Sequence, residues 1–452
     1  MQQKKKLALA VLIQSALVST AFASEQSESK GFVEDAEGSV LFRTGYLTRD
    51  KKNRVADTSS FAQTAIVKLD SGFTQGTVGF GVGIIGDASF KLGENGHTGN
   101  DMIPTHPQAN PDGTQDAYDH WARGGAYLKA RVSNTTATYG TQVLDLPVLA
   151  SNTARLVPEY YTGVLVESNE IENLSLTAGK FTENLLSDQI NSDGAELDRA
   201  VVWGAKYQFN NNLNASYYGT DIKDRLDRHY INANYTKALA DKSSLTYEVS
   251  GYHTQWDREA NDKLYSYIGS AEDKYKNSIW AVSTTYNTGP HNVMVAYQQN
   301  FGNTGYDYGL GTGVGDGKQS IYLPNSYLSD FIGNDEKSVQ LQYTFDFGAV
   351  NVPGLSWTSA FVYGWDIKAN KAEHAIPDDT NSAVIARTLT NSNAHEREFF
   401  NQVKYTVQSG FAKDASLRLR HSYYRASDAY ETTYIGDTNE WRIWLDIPVK
   451  LF

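Results

Sequence analysis

From Ser338 to Phe347 the chain alternates without a break: Val339, Leu341, Tyr343, Phe345 and Phe347 hold one parity, Ser338, Gln340, Gln342, Thr344 and Asp346 the other. Side chains of opposite parity leave opposite faces of a strand, so this segment is a ribbon with one apolar and one wet face. The pattern recurs. Val201, Trp203, Ala205, Tyr207 and Phe209 oppose Val202, Gly204, Lys206 and Gln208, and Val293, Val295 and Tyr297 oppose Met294, Ala296 and Gln298. The last strand sets Trp441, Ile443, Leu445, Ile447, Val449 and Leu451 against Arg442, Trp444, Asp446 and Lys450.

Alternation alone also fits a soluble sandwich. Three further features favour a membrane barrel. Lys4-Lys5-Lys6, the apolar run Leu7 to Ala23 and Ala21-Phe22-Ala23 read as a secretory signal over residues 1–23 with its cleavage site, which makes Ser24 the expected first mature residue. The 29 Tyr, 18 Phe and 8 Trp gather toward strand ends, where the interfacial girdles of a bilayer would lie. Long Gly/Asn/Asp-rich connections alternate with short turns such as Asn210-Asn211-Asn212 and Thr288-Gly289-Pro290. After the leader no run of eighteen apolar residues could cross as a helix, and mean hydropathy is -0.47. Apolar strands in lipid must therefore close on themselves, because exposed backbone groups would find no water.

Size follows from length. The 429 residues after Ala23, at about 24 per strand and connection, give on the order of 18 strands, wide enough for an aqueous path unless loops fold inward. The expected organisation is the signal at 1–23, a short periplasmic arm at 24–37 and one all-β antiparallel transmembrane barrel at 38–452. Long loops are expected at Lys91–Trp121, Leu144–Tyr160, Asp257–Lys276, Gly302–Asp335 and Ala369–His395. The formal net charge of -12 becomes -15 without the three leader lysines, an acidity that argues against nucleic acid. With no cysteine, stability must come from the hydrogen-bond ladder.

Motifs of soluble chemistry fail on context. Gly81-Val82-Gly83-Ile84-Ile85-Gly86 matches a dinucleotide fingerprint in letters but lies within an alternating strand, with no helix to receive a pyrophosphate. Gly79, Gly81 and Gly83 instead form a stripe on the inward face, leaving room for another segment to pack. Around Gly311 and Lys318, Thr312 and Gln319 break the P-loop pattern, and Asn110 to Asp116 lacks the ligands of a calcium loop. Nine His show no pair at metal spacing, and no cofactor is implied.

The inward parity instead carries cations. Arg43 and Arg49 lie on the first strand; Lys129 alternates with Arg131; Lys404 follows near the end, then Arg418 and Arg420 interleaved with Leu417 and Leu419, and Arg442 on the last strand. Closure makes the chain's two ends neighbours, so Arg43, Lys404, Arg418, Arg420 and Arg442 would share one stretch of wall. Guanidinium groups offer paired donors that fit carboxylates, so such a wall can act as an anion track. Arg397 shares parity with Phe399 and Val403 and is assigned outward.

The stretch Val148-Leu149-Ala150-Ser151-Asn152-Thr153-Ala154-Arg155-Leu156-Val157-Pro158-Glu159-Tyr160-Tyr161-Thr162-Gly163 resembles the constriction-loop motif of the OprD porins, the outer-membrane carboxylate channels. Further similarities are Arg43 with Tyr46 and Arg49-Asp50, Gly125 to Thr135, Asn325-Ser326 with Ser329-Asp330-Phe331, Val352-Pro353-Gly354-Leu355, and Leu417 to Arg420 with Tyr424-Arg425. The resemblance implies 18 strands, inward-folded constriction loops, a basic ladder and a small acidic pocket opposite. By position the ladder takes in Arg43, Arg49, Arg131, Arg418 and Arg420; Arg155 lies in the narrowing loop, and Asp307 in Gly305-Tyr306-Asp307-Tyr308 matches the pocket. Two departures are Gly302-Asn303, where family members often carry Gly-Asp, and Glu159-Tyr160 after Pro158. The resemblance also implies a monomer or loose trimer in contact with outer-membrane lipid and lipopolysaccharide.

The reading is a passive outer-membrane channel for small carboxylate-bearing solutes such as amino acids, small peptides, aromatic acids or carboxylate antibiotics. A surface receptor would share the outward pattern but needs no inward cations, and an outer-membrane enzyme would need a catalytic set that the sequence lacks. Detergent-folded protein is expected to give a strand-dominated circular dichroism spectrum and to resist SDS until boiled, since closure leaves no free sheet edge; a mainly helical spectrum would overturn the reading.

Overall fold

The structure is a computed structural model that describes residues 24–52, 57–93, 100–110, 115–192, 197–257, 276–302, 304–309, 320–372, 387–431 and 436–452. The leader and the Gly311–Lys318 and Asp112–Gly113 stretches lie outside the described residues. In chain order the strands are β1 (Glu37–Lys51), β2 (Thr58–Asp70), β3 (Val78–Lys91), β4 (Thr105–Ala109), β5 (Gln115–Ala117), β6 (His120–Val132), β7 (Thr135–Gln142), β8 (Asp145–Leu146), β9 (Leu149–Ala150), β10 (Tyr160–Ile171) and β11 (Leu174–Leu185). There follow β12 (Ala200–Asn210), β13 (Leu213–Ile222), β14 (Leu226–Ala238), β15 (Ser244–Trp256), β16 (Lys276–Thr288), β17 (His291–Gly302), β18 (Lys337–Asp346), β19 (Leu355–Ala372), β20 (Arg387–Thr406), β21 (Ser416–Ala426) and β22 (Thr438–Lys450).

Eighteen of these form one antiparallel sheet, each paired to its sequence neighbour once the β4–β5 and β8–β9 hairpins are set aside. The sheet closes where β1 pairs with β22, from Ser39 opposite Lys450 to Lys51 opposite Thr438. Inward and outward parities fall as the alternation requires. Leu341 is 56% exposed on the outer face, whereas Gln340 beside it is 2% exposed inside. Outward side chains such as Phe80, Leu128, Leu417, Trp441 and Val449 form an apolar band around the wall. Asn210 and Leu213 flank one short turn; Gly289 takes a left-handed φ of 51° in another.

The connection expected from Ala369 to His395 is shorter than its polarity suggests. β19 continues to Ala372 and β20 starts at Arg387, with Lys371 opposite Thr388. At the opposite, short-turn end, residues 24–36 pack against the barrel mouth. Glu25 N donates to Asn134 Oδ1 at 2.8 Å, Gln26 Nε2 to Thr74 O at 2.9 Å, and Gly72 N to Phe32 O at 2.8 Å.

That arm also decides what the glycine stripe accommodates. A Cβ on Gly79 would meet the Gln26 side chain, one on Gly81 would meet Lys129 and the Gly72 carbonyl, and one on Gly83 would meet the Tyr127 ring. The stripe therefore receives the amino-terminal arm, the β2–β3 turn and the neighbouring strand's long side chains. The Ser151–Val157 loop packs elsewhere: Leu156 and Val157 join Leu47, Ala62, Met102, Ile103, Trp121 and Trp444 near the β1–β22 seam.

The inward loops leave the wall through a node that the sequence reading passed over. β7 pairs with β6 only as far as Gly140 opposite Tyr127, and Thr141 and Gln142 pair with β10 alone; after Gln142 the chain turns into the lumen and β10 returns at Tyr160. Arg123 fills the junction. Its guanidinium meets Asp87 Oδ2 at 3.1 Å and donates to Pro158 O at 2.7 Å and Leu186 O at 2.6 Å, with the Tyr160 ring 5.2 Å away. The Tyr160 hydroxyl donates to Asp87 Oδ2 at 2.9 Å. Both charged side chains are fully buried. Arg123→Met should lower unfolding free energy by about 3–5 kcal/mol, because it strands the buried Asp87 carboxylate. The check is the temperature at which the SDS-resistant form is lost, and Arg123→Met with Asp87→Leu should recover much of the fall.

Candidate functional site: the lumen wall and its inward loops

Two inward segments narrow the barrel. The first, between β7 and β10, is a compact loop whose ends lie close: Ser151 N donates to Leu144 O at 2.8 Å and Glu159 N to Asn152 O at 3.0 Å. The buried Glu159 carboxylate accepts from Asn152 N at 3.0 Å. One of the two departures from the family motif is thus the clasp of the loop. The second segment lies between β17 and β18. Gln298 Nε2 of β17 donates to Asp330 O and Phe331 O at 3.0 and 2.9 Å, while the Glu398 carboxylate of β20 accepts from Leu328 N and Ser329 N at 3.1 and 3.0 Å. Phe331, fully buried, holds a left-handed φ of 53°, a strained backbone stabilised by these anchors. The two segments meet through tyrosines: Tyr252 Oη of β15 donates to Pro147 O at 3.1 Å and accepts from Tyr322 N at 3.0 Å, and Tyr322 Oη bonds Asp145.

The expected cations divide by environment. Arg43, Arg49, Lys404, Arg418, Arg420 and Arg442 stand on the contiguous strands β20, β21, β22 and β1, with Arg418 between Lys404 and Trp444 in register and Arg420 between Gln402 and Arg442. Arg43, Arg49 and Arg442 carry ion pairs. Arg43 bonds Asp446 at 2.7 and 3.2 Å and donates its third contact to Arg155 O at 3.0 Å, so it ties the constriction loop to the wall. Arg49 bonds Glu440 at 2.8 Å, and Arg442, 1% exposed, shares that same carboxylate at 3.1 Å.

Others stand away from this wall. Lys129 pairs with Asp70 and lies 4.5 Å from the Phe73 ring centroid. Arg131 lies 3.7 Å from Glu25, 3.1 Å from Gln26 Oε1 and 4.1 Å from the same ring, so at the short-turn end Arg131 holds the amino-terminal arm and Lys129 the β2–β3 turn. Arg155 is completely buried, donating to Asn100 O at 2.9 Å beside Asp101 at 3.7 Å.

Asp307 is also buried; its Oδ1 accepts from Gly309 N at 2.6 Å, and its carbonyl accepts from Arg228. Burial pushes its carboxyl up to about 6, against that hydrogen bond and the Arg228 charge. Arg228, another residue missed from sequence, fixes Tyr308 O at 2.9 Å and lies 4.5 Å from the Tyr306 ring. It shares inward parity with Tyr230, a signal of the kind that identified the other cations.

What remains toward the lumen is a smaller set. Lys404 is exposed and Arg418 half-buried, and among the described residues neither makes a hydrogen bond or ion pair. Arg420, half-buried, lies 5.0 Å from the Phe400 ring. Arg397 is exposed on the outer face opposite Arg425 and Tyr363, as its parity requires. Charged donors held at adjacent register positions can receive an anion without first breaking an ion pair. Among the described residues no group of three or more metal-ligating side chains comes together.

Known proteins resemble this one throughout. The profile of the family described as "outer membrane porin, OprD family" matches residues 30–451. Porin D of Pseudomonas aeruginosa is 35% identical over 447 residues, covering 96% of this chain and 95% of that protein. The crystal structure of Acinetobacter baumannii OccAB1 is 63% identical with a TM-score of 0.84, over 95% of this chain and 100% of that one. That of Pseudomonas aeruginosa OpdK with vanillate is 25% identical with a TM-score of 0.77, over 93% and 100%.

The close approach of Asn152 and Glu159 allows the intervening loop to be shortened. Excising Thr153–Val157 and joining the ends with two glycines should raise single-channel conductance in planar bilayers and flatten discrimination among solutes. Unchanged conductance would place the loop outside the conducting path.

Proposed function

This chain belongs to the OprD family of outer-membrane porins, and from that premise we propose that it conducts small carboxylate-bearing solutes along Lys404, Arg418 and Arg420. It is an integral outer-membrane protein of Gram-negative type and a substrate-specific channel; its relatives are channel proteins, not enzymes. The observation that carries the carboxylate reading is the contrast on one wall. Arg43, Arg49 and Arg442 are engaged by Asp446 and Glu440, whereas Lys404 and Arg418, adjacent in register, make no such bond among the described residues.

The inward cations have different parts. Arg43 and Arg155 shape the opening, Arg49 and Arg442 stiffen the seam through Glu440, Arg131 holds the arm and Lys129 ties to Asp70. Lys404, Arg418 and Arg420 meet the solute. Arg418 and Arg420 are two residues apart on one face, so a carboxylate can pass from one guanidinium to the next. Each contact must bind weakly enough to release, because conduction needs several moderate sites and not one deep well. Vanillate, held by OpdK, is a carboxylate of the aromatic kind included in this class.

Replacing Arg418 and Arg420 together by Gln keeps length and hydrogen bonding but removes two charges. Uptake of a monocarboxylate into proteoliposomes should fall several-fold at low salt, where screening is least, while a neutral sugar of similar size is little affected. Arg397→Gln, on the outer face, should change neither. Carboxylate uptake in the double variant equal to the parent's would dismiss the anion track and leave the porin assignment untouched.

A further inference from the structure

The gap at the top of β6 has an outer side as well as an inner one. β6 pairs with β3 along its whole length, but its pairing with β7 stops at Tyr127. Above that point a groove of about 760 Å³ runs between β3 and the returning β10 and β11. Its sides come from outward residues: Ile84 and Gly86 on β3, Ala122, Gly124 and Ala126 on β6, and Thr162 on β10.

Small residues make the depression. The two strands approach so closely that a Cβ on Gly124 would stand 2.4 Å from Ile85 O, and one on Gly86 2.7 Å from Arg123 O. Just below, the same strands raise Val82 and Leu128 from the wall. The groove has a firm floor, for Arg123 and Tyr160 line it and are locked to Asp87, Pro158 O and Leu186 O. That floor makes it a docking site on the wall and not a side door into the lumen.

We propose that this groove binds a single acyl chain of an outer-leaflet lipid. It is continuous with the apolar outward band, which places it against lipid, and it begins six residues above the Ser133–Asn134 turn, in the long-loop half of the wall. Its volume lies within the roughly 300–1,000 Å³ of small-molecule sites. The rim is polar: Glu183, Asn191 and Ser192 are exposed at its margin, where the head group of a lipid whose chain fills the apolar trough would rest. An acyl chain there completes the wall where the strand ladder does not.

The chain has no cysteine, so single-site labelling is clean. A bimane label at Thr162→Cys reports the groove and one at Val82→Cys reports the open wall. Both are titrated in detergent with a zwitterionic lysophospholipid whose chain is brominated. Quenching at position 162 should saturate at low probe while that at position 82 rises linearly with partitioning. In the Thr162→Cys background, Ala126→Phe should fill the trough and raise the half-quenching concentration about tenfold, the effect of excluding roughly two methylene groups. Ala122→Leu serves as a second filler if the first fails to give the parent's circular dichroism spectrum. Equal linear quenching at both sites, or fillers without effect, would overturn the proposal. So would ready disulfide-linked dimers of the unlabelled Thr162→Cys protein without saturable quenching, which would give the groove to a second copy.

Discussion

Every other feature of this protein depends on the pairing of β1 with β22. An unpaired backbone N–H or C=O in hydrocarbon has no water to turn to, so a sheet in lipid is stable only when its two edges meet. Thirteen register pairs join the ends of the chain, from Ser39 with Lys450 to Lys51 with Thr438. The seam also brings Arg43 and Arg49 beside Asp446 and Glu440. Residues some four hundred positions apart in sequence thereby form ion pairs across the join, and closure and charge pairing reinforce one another.

A closed wall of this size encloses water, and its inward loops must be held against that water. The chain uses buried charges, with one buried amide, for the purpose. Glu398 and Gln298 grip the loop ahead of β18 from two strands, Arg43 reaches the Arg155 carbonyl, and Arg123 takes three carbonyls as well as Asp87. An ion buried without partners would cost several kcal/mol. Each of these is satisfied by backbone groups of a loop that has no strand neighbour of its own, so the loop's unpaired carbonyls and amides complete the hydrogen bonding of the charges. The same economy leaves Lys404 and Arg418 available.

The alternation of apolar and polar residues is a local property, and it was enough to determine the barrel, the closure of its ends, the inward parity of Arg418 and Arg420 and the outward parity of Arg397. Parity fixes a side chain's face because the strand period is two, whatever the rest of the molecule does. The family motif at Val148–Gly163 likewise located the narrowing loop from sequence alone. Arg123 and Arg228 carried the same signal, being inward by parity, and were passed over because nothing in their local sequence shows what they would hold.

Which inward cations are tied up in ion pairs was decided only by the tertiary structure. Arg131 and Arg418 look alike in sequence, each set among alternating apolar residues. Arg131 faces Glu25 and Gln26 of an arm more than a hundred residues away, whereas Arg418, half-buried on its strand, makes no hydrogen bond or ion pair among the described residues. In the same way the Gly79–Gly83 stripe announced a close neighbour but not that it would be the arm and not the constriction loop. An ion pair is a property of two positions in space. The sequence determined the face each charge would occupy; its partner depended on where distant segments folded, which no local periodicity encodes.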